Sequence, residues 1–192
     1  MIYVFILIFI AGVSIAVLRQ VNEYERGIVF NFGKFNGIKM PGWRLVVPVF
    51  QRMLKIDMRA KVIDIYNQKT ITKDNIPIEI NATVHYKISD MVKAVFEIEN
   101  FSKATFRLAQ ITTGSIISET KLNDLLSKRE KISDKIEATI NKTSSAWGIA
   151  VNNFGFKEIV LPPEIEKAIV KQAEIKNLGI IIENSENKQQ KI

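Results

Sequence analysis

The sequence has no cysteine and a single histidine, His85, and both absences restrict its chemistry. Without cysteine the chain can form neither a disulfide nor a thiolate metal site. With one imidazole it cannot build a metal site of several histidines. It also contains no Walker loop, no H-E-x-x-H segment, no G-x-S-x-G turn and no G-x-G-x-x-G turn. We therefore expect no catalytic residues, no cofactor and no metal, and we predict that the protein is not an enzyme.

Charged residues are absent from the first eighteen positions, where large aliphatic and aromatic side chains predominate. As a helix this run would be roughly 25 Å long, at the short end of a bilayer span. No cation precedes it, as a secretory signal would require, and it has no polar face, as a soluble helix would. We therefore expect a retained membrane anchor. Its apolar residues are Ile2, Val4, Phe5, Ile6, Leu7, Ile8, Phe9, Ile10, Val13, Ile15, Val17 and Leu18.

Two other interpretations of this run stay open. A cleaved signal would use the small residues at Ser14-Ile15-Ala16. A shallow hairpin would enter and leave one leaflet, although the run has no proline to bend it. For a single span, the cations that follow the run place the body in the cytoplasm and the amino terminus outside, by the positive-inside rule.

Positive charge is concentrated just after the apolar run. The chain carries a net charge of +7, and residues 19–61 contain nine basic and three acidic residues, an excess of six. A cation beside a membrane surface gains about 1 kcal/mol from anionic headgroups, so we expect this zone to face lipid. A general basic surface or a nucleic-acid face are the alternatives. The expected headgroup contacts are Arg19, Arg26, Lys34, Lys39, Trp43 and Arg44.

Hydrophobic periodicity predicts strands before residue 90 and mostly helices after it. "IPIEINATVHYKI" (Ile76–Ile88) alternates apolar and polar residues throughout, which predicts a strand with one buried face and His85 on the wet one. Gly27–Phe35 predicts a strand that ends in a hairpin turn, and Met53–Ile71 one or two more strands. Pro77 suits a strand start or an edge strand.

Three helices, a strand and a last helix are expected in the second half. The helices cover Asp90–Ile98, Phe101–Thr120 and Asn123–Trp147, the last with Asn123 as its N-cap and ended by Gly148. A strand over Ile149–Leu161 follows, and Pro162-Pro163 opens a last helix. The expected organisation is an anchor over 1–18, an α+β domain over 19–161 and a helical tail over 162–192.

Six ordered segments resemble one known family. They are "NEYERGIVFNFGKF", "PGWRLVVPVFQRMLKIDMR", "TKDNIPIEINATVHYKI", "LSKREKI", "AWGIAV" and "LPPEIEKAIVKQAE". Together they are similar to the stomatin/prohibitin/flotillin (SPFH, or Band 7) domain, in its stomatin-like (slipin) branch, from about Val21 to Glu174. Gly114 departs from the family, which usually carries a larger residue there. The chain also has a short polar tail where the family begins a long helix.

The resemblance implies a membrane segment, then a domain with a curved antiparallel sheet flanked by helices, then a helix that self-associates. It implies a non-enzymatic homo-oligomeric scaffold that organises membrane microdomains and regulates membrane proteases or channels. An NfeD-type membrane serine protease is one such partner, and lipids are another. The self-association helix would carry Ile165, Ile169 and Ala173. A basic nucleic-acid-binding protein and a membrane-tethered hydrolase are the alternatives, and the resemblance argues against both.

Overall fold

The computed structural model describes residues 3–4, 17–165 and 167. Over these residues the chain is a mixed α+β fold. The strands are β1 (Leu18–Val21), β2 (Glu25–Asn31), β3 (Lys34–Lys39), β4 (Gly42–Leu45), β5 (Gln51–Asp57), β6 (Lys61–Ile71), β7 (Pro77–Ile88) and β8 (Ile149–Val160). The helices are α1 (Met91–Glu97), α2 (Phe101–Ser118), α3 (Leu122–Ser127) and α4 (Arg129–Ser144), followed by a 3-10 turn at Ser145–Trp147.

The strands pair antiparallel, but in three sheets instead of the one curved sheet expected. β1 pairs with β4, β2 lies between β3 and β5, and β7 lies between β6 and β8. The second and third sheets separate at Met58–Ala60, where the backbone leaves the extended ladder. There the N–H of Met58 donates to the carbonyl of Tyr24 (3.0 Å), and the guanidinium of Arg59 pairs with Asp57 (2.9 Å).

β7 forms the centre of the main core, as its alternation predicts. Its even-numbered residues from Ile78 to Ile88 are buried and its odd-numbered ones are half-buried or exposed. The buried face packs against apolar residues of α2, α3, α4 and β8. β7 is paired on both sides, so the edge-strand alternative is wrong. Pro77 is the first residue of the strand, opposite Ile71 at the end of β6, a position that a proline tolerates.

The helix expected from Asn123 begins one residue earlier and is divided in two. Asp74, in the β6–β7 turn, accepts a hydrogen bond from the backbone N–H of Leu122 (3.0 Å), which satisfies a donor of the first turn. Asn123 is therefore inside α3 and is not the N-cap. Lys128, with φ −125° and ψ 38°, separates α3 from α4. The N-cap of the earlier helix, α1, is Asp90, whose side chain accepts from two backbone N–H groups of the helix.

Two glycines lie where a helix closely approaches another part of the fold. Gly148 has φ +70°, and its carbonyl accepts hydrogen bonds from the N–H groups of Ser89 (2.9 Å) and Asp90 (3.0 Å). Gly114, in α2, faces the buried side chain of Gln68, whose amide donates to the carbonyl of Gln110 (2.7 Å). A Cβ at position 114 would lie 3.3 Å from that amide nitrogen. The small residue there thus makes room for a polar link between β6 and α2.

Candidate functional site

Two loops meet at one end of the second sheet and expose large apolar side chains. Phe32 and Gly33 connect β2 to β3, and both have positive φ (49° and 82°), as a type I′ hairpin turn requires. The N–H of Phe32 donates to the carbonyl of Phe50 (3.0 Å), and their rings lie 5.4 Å apart. Phe32 is 81% exposed, Val49 82% and Phe50 52%. We call these three residues the apolar tip.

Phe32 is an unusual residue for its position. Asparagine, aspartate and glycine are the residues that tolerate the left-handed region in such turns. For a bulky L-residue this backbone conformation costs about 1 kcal/mol or more. The turn therefore holds a strained aromatic residue whose side chain is almost wholly in contact with water, and neither the hairpin nor the core accounts for it.

The ribbon of β1 and β4 carries a second set of exposed apolar side chains. Leu18 is opposite Leu45 and Gln20 is opposite Trp43, so these four side chains share one face. Trp43 is 67% exposed and Leu45 70%, which excludes a packed core position for the indole. The other face carries Arg19 directly opposite Arg44. The ribbon thus has an apolar face and a basic face.

The expected headgroup residues fall into two groups. Arg19 and Arg44 are on the ribbon, and Lys34 follows the β2–β3 turn, next to the apolar tip. Lys39 is at the other end of β3, about 17 Å from Lys34 along an extended strand of this length, and it is opposite Gly27. Arg26 is half-buried and donates to the carbonyls of Glu23 and Glu25 (both 2.9 Å). The structure therefore places Lys34 beside the apolar tip and Arg19 and Arg44 on the basic face of the ribbon, where Arg44 donates to the carbonyls of Met40 (3.0 Å) and Pro41 (3.3 Å). Arg26 and Lys39 lie away from the tip.

Sequence reasoning missed the apolar tip and one cation beside it. Arg52, on β5, is opposite Phe30 and next to the loop that carries Val49 and Phe50. It belongs to the basic zone, but nothing in the sequence distinguishes it from its neighbours. The tip is assembled from two loops that are distant in sequence, so no single window contains it. The rule that could have found Phe32 is local: a bulky residue preceding glycine at a hairpin turn.

Most of the expected anchor lies outside the described residues. Tyr3, Val4 and Val17 are helical, and Leu18 begins β1. Within residues 3–4, 17–165 and 167, no helix is long and apolar enough to cross a membrane. The other expected anchor residues, Ile2, Phe5, Ile6, Leu7, Ile8, Phe9, Ile10, Val13 and Ile15, are not among those described.

One residue of the expected self-association helix has a defined environment. Residues 163–165 and 167 are helical, and Ile165 packs against the main core of its own chain. Ile169 and Ala173 lie outside the described residues.

The polar face of the third sheet holds a second cluster of charged and polar groups. Lys157 on β8 donates to Asp64 on β6 (2.6 Å), and Tyr66 donates to the same carboxylate (2.9 Å). The hydrogen bond from Lys157 lowers the pKa of Asp64, and in return the pKa of Lys157 is raised. Gly155 has no side chain to obstruct this reach across β7. The ion pair links the two edge strands of the third sheet, β6 and β8. Because its two charges neutralise each other, neither Asp64 nor Lys157 is available as a free acid or base.

His85, the single histidine, lies on the polar face of β7, as the alternation of that strand predicts. His85 is half-buried on the same polar face, opposite Val62 on β6 and Asn153 on β8. No group of three or more histidines and carboxylates suited to a metal ion occurs among the residues that the structure describes. The feature of this body that a globular core does not account for is thus the apolar tip with its neighbouring cations.

Fold and surface together define a class: a mixed α+β domain of antiparallel sheets that exposes apolar side chains beside cations. The chain belongs to the SPFH/Band 7 family, because the family model described as "SPFH domain / Band 7 family" matches residues 19–191. The stomatin-like resemblance of the six sequence segments is thereby confirmed.

Several relatives carry the name stomatin. A stomatin homologue of Pyrococcus horikoshii is 38% identical over 173 residues, 90% of this chain and 64% of the relative. Mouse stomatin is 33% identical over 159 residues, 82% of this chain and 56% of that protein. Mechanosensory protein 2 of Caenorhabditis elegans is 30% identical over 159 residues, 82% of this chain and 33% of that protein. The chain thus spans less than two thirds of the length of each of these three relatives.

Proposed function

We propose that this chain is a membrane-anchored, self-associating scaffold of the stomatin-like type. It organises membrane microdomains and regulates membrane proteases or channels, an NfeD-type serine protease being one such partner, and it catalyses no reaction itself. The observation that supports this function best is the apolar tip. Three large apolar side chains project into water from two loops that are held together by a backbone hydrogen bond.

Immersion of the apolar tip in lipid would offset its exposure. Full burial of one such side chain contributes about 1.5–3 kcal/mol, so three side chains immersed in part would contribute on the order of 4 kcal/mol. Lys34 and Arg52 flank the tip and would remain at the level of the headgroups. A surface with apolar side chains ahead of cations has the layering of a lipid interface, with hydrocarbon beneath charged groups.

The anchor and the apolar tip would act together. β1 begins at Leu18, directly after the apolar run, and its register with β4 places the exposed Trp43 and Leu45 beside the point where the run ends. A helix through the bilayer holds the chain in the membrane but leaves the body free to rotate about it. A second contact through the tip would fix the body against the surface. Neighbouring copies would then meet in one orientation, which raises their effective concentration.

The two tryptophans of the chain provide the test. Trp43 is exposed on the ribbon, whereas Trp147 is half-buried and packs against the main core. The full chain is placed in phosphatidylcholine nanodiscs with or without bromine on the acyl chains, and tryptophan quenching is measured. Quenching is expected in the wild type and in Trp147→Phe, and it should be absent from Trp43→Phe. Equal quenching of the two single-tryptophan variants would contradict a membrane-facing ribbon, on which Trp43 lies.

A triple variant tests the apolar tip itself. Phe32→Ser, Val49→Ser and Phe50→Ser together are expected to reduce the quenching of Trp43 severalfold. The matched control replaces Val62 and Ile111, exposed apolar residues elsewhere on the body, with serine and should leave quenching unchanged. Unchanged quenching in the tip variant would refute the role of these residues.

Self-association is tested separately on blue-native gels, by comparing the full chain with a variant stopped after Leu161. Monomers in both lanes would remove the basis for a scaffold.

A further inference from the structure

A cleft beside the apolar tip contains three cations. Arg19 from β1 and Arg52 and Lys55 from β5 line a cavity of about 410 Å³. Its apolar wall comes from Val46 and Pro48, in the loop that continues to Val49 and Phe50. No acidic side chain is among the described residues that line it. We call it the basic cleft.

The cations of the basic cleft lack close acidic partners. No described carboxylate lies within 4.0 Å of the guanidinium of Arg19 or Arg52, and Lys55 approaches Glu25 only at that limiting distance. Arg44 lies opposite Arg19 across the ribbon and adds to the positive field, while its guanidinium donates to the carbonyls of Met40 and Pro41. Like charges directly opposite each other destabilise an antiparallel pair. Lys55 shares a face of β5 with Gln51 and Met53, which also line the cleft. Arg52 alternates to the other face and lines a second cavity with Phe30 and Leu54 as well. Arg19 and Lys55 therefore form the centre of a site that an anion would stabilise, with Arg52 at its margin.

We propose that the basic cleft binds a phosphate group, carried either by an anionic lipid headgroup or by a soluble phosphate. Guanidinium groups match the oxygens of a phosphate with paired hydrogen bonds, and an ammonium adds a point charge. The cleft is polar on its cationic side and apolar at Val46 and Pro48, a combination that suits the junction between a headgroup and its glycerol backbone. The lipid source rests on the proposed function, because it requires the apolar tip to lie in the bilayer.

The first experiment uses inorganic phosphate on the full chain in dodecyl maltoside. Signals of the arginine side-chain Nε–H groups are followed by NMR at constant ionic strength, with sulfate-free chloride as the reference salt. Arg19 and Arg52 are expected to shift and saturate, while Arg107 and Arg129 on the helices stay in place. In Arg52→Gln/Lys55→Gln the affinity should fall about fivefold for each cation removed. The charge-matched control Arg107→Gln/Lys131→Gln should keep the wild-type affinity. Equal shifts of all four arginines, or equal losses in both double variants, would overturn the site.

The second experiment identifies the source of the phosphate. The same signals are recorded in phosphatidylcholine nanodiscs with and without phosphatidylglycerol. Shifts that appear with phosphatidylglycerol and abolish the response to added phosphate assign the site to a lipid headgroup. A response to inorganic phosphate that persists unchanged in both nanodiscs assigns it to a soluble phosphate. No response to either probe overturns the proposal.

Quenching of Trp43 by brominated lipid is measured on the same samples, so that the two proposals fail separately. Arg52→Gln/Lys55→Gln is expected to lose phosphate binding but to keep its quenching, since it retains the apolar tip. Loss of the phosphate response in wild type with quenching intact would refute the basic cleft alone. Absence of quenching in wild type would refute the membrane-facing surface instead. A thermal melt of each variant confirms that the body is folded.

Discussion

Replacing Gly148 with alanine tests how the two cores of the body are joined. The residue is buried, has φ +70° and precedes β8, which contributes Ile149 to the main core. Its carbonyl accepts from the N–H groups of Ser89 and Asp90, at the start of α1. α1 in turn buries Met91 in a second core with residues of β2 and β5. A disturbance at Gly148 should therefore weaken both cores.

The expected cost follows from the backbone and from the space available. A Cβ at position 148 would lie 2.2 Å from the carbonyl oxygen of Asp90 and 3.0 Å from the Cβ of Lys93. The left-handed conformation costs an alanine about 1 kcal/mol, and overpacking against backbone costs about 1–3 kcal/mol more. The lower entropy of the unfolded alanine chain offsets about 0.4–1 kcal/mol. We expect Gly148→Ala to lower the free energy of unfolding by about 2 kcal/mol.

Two other glycines separate these contributions. Gly33 has φ +82° with open space around its Cβ position, so Gly33→Ala carries the backbone strain alone. Gly155 lies in β8 with an ordinary contact of 3.7 Å to Thr83, so Gly155→Ala carries neither strain nor clash. Urea unfolding of the full chain in detergent, followed by far-ultraviolet circular dichroism, gives the three free energies. A cost for Gly148→Ala no larger than that for Gly33→Ala would refute the close approach to Asp90.

Two further predictions concern single side chains. The carboxamide of Asn141 donates to the carbonyl of Val151 (2.7 Å) and accepts from its N–H (2.8 Å). Asn141→Ala should therefore lower the free energy of unfolding by about 2 kcal/mol. The control Asn152→Ala, at an exposed position, should change it by close to nothing, and urea unfolding measures both. Hydrogen bonds from the side chain and the backbone of Arg59 lower the pKa of Asp57 to about 2. A carboxylate with a lowered pKa stabilises the fold above its unfolded pKa, near 4, and that contribution is lost as the pH falls toward 2. Asp57→Asn should thus cost less than about 1 kcal/mol at neutral pH and less again near pH 2, where the folded carboxyl is half-protonated. A cost that does not change with pH would contradict this ion pair.

The sequence was most informative where local periodicity and burial coincide. β7 alternates without interruption because one of its faces is buried along its whole length, and Gly148 marks a helix end because its φ is positive. The start of α3 could not be predicted in the same way. Its first turn is satisfied by Asp74, which lies 48 residues earlier in the chain, and a local pattern contains no such partner. The division of the strands into three sheets likewise depends on pairings between distant segments.

The candidate surface was likewise predictable only in part from the sequence. The basic zone is visible in the composition of residues 19–61, and Trp43 is exposed on the ribbon, as a contact with headgroups would require. The apolar tip was missed because it joins the β2–β3 turn to the β4–β5 loop, which are distant in sequence, although the bulky Phe32 before Gly33 is a local signal for one half of it. Arg26 was included because it is basic and near the apolar run, yet its guanidinium is occupied by two carbonyls. Charge is readable from sequence, whereas the availability of a charge depends on the fold.

Phe32 shows why stability in water does not explain this surface. An asparagine at the same position would fit the left-handed turn better and would expose no aromatic ring. The chain instead retains about 1 kcal/mol of backbone strain and an 81% exposed phenyl group, next to a second exposed ring on Phe50. Contact with water does not stabilise the exposed rings of Phe32 and Phe50, whereas transfer of the rings to an apolar phase does. The expected anchor ends at Leu18, on the ribbon that carries Arg19, and Arg19 lines the same cleft as the loop leading to Phe50. On the proposed function, the phase that holds the anchor is therefore the one that offsets the strain at Phe32.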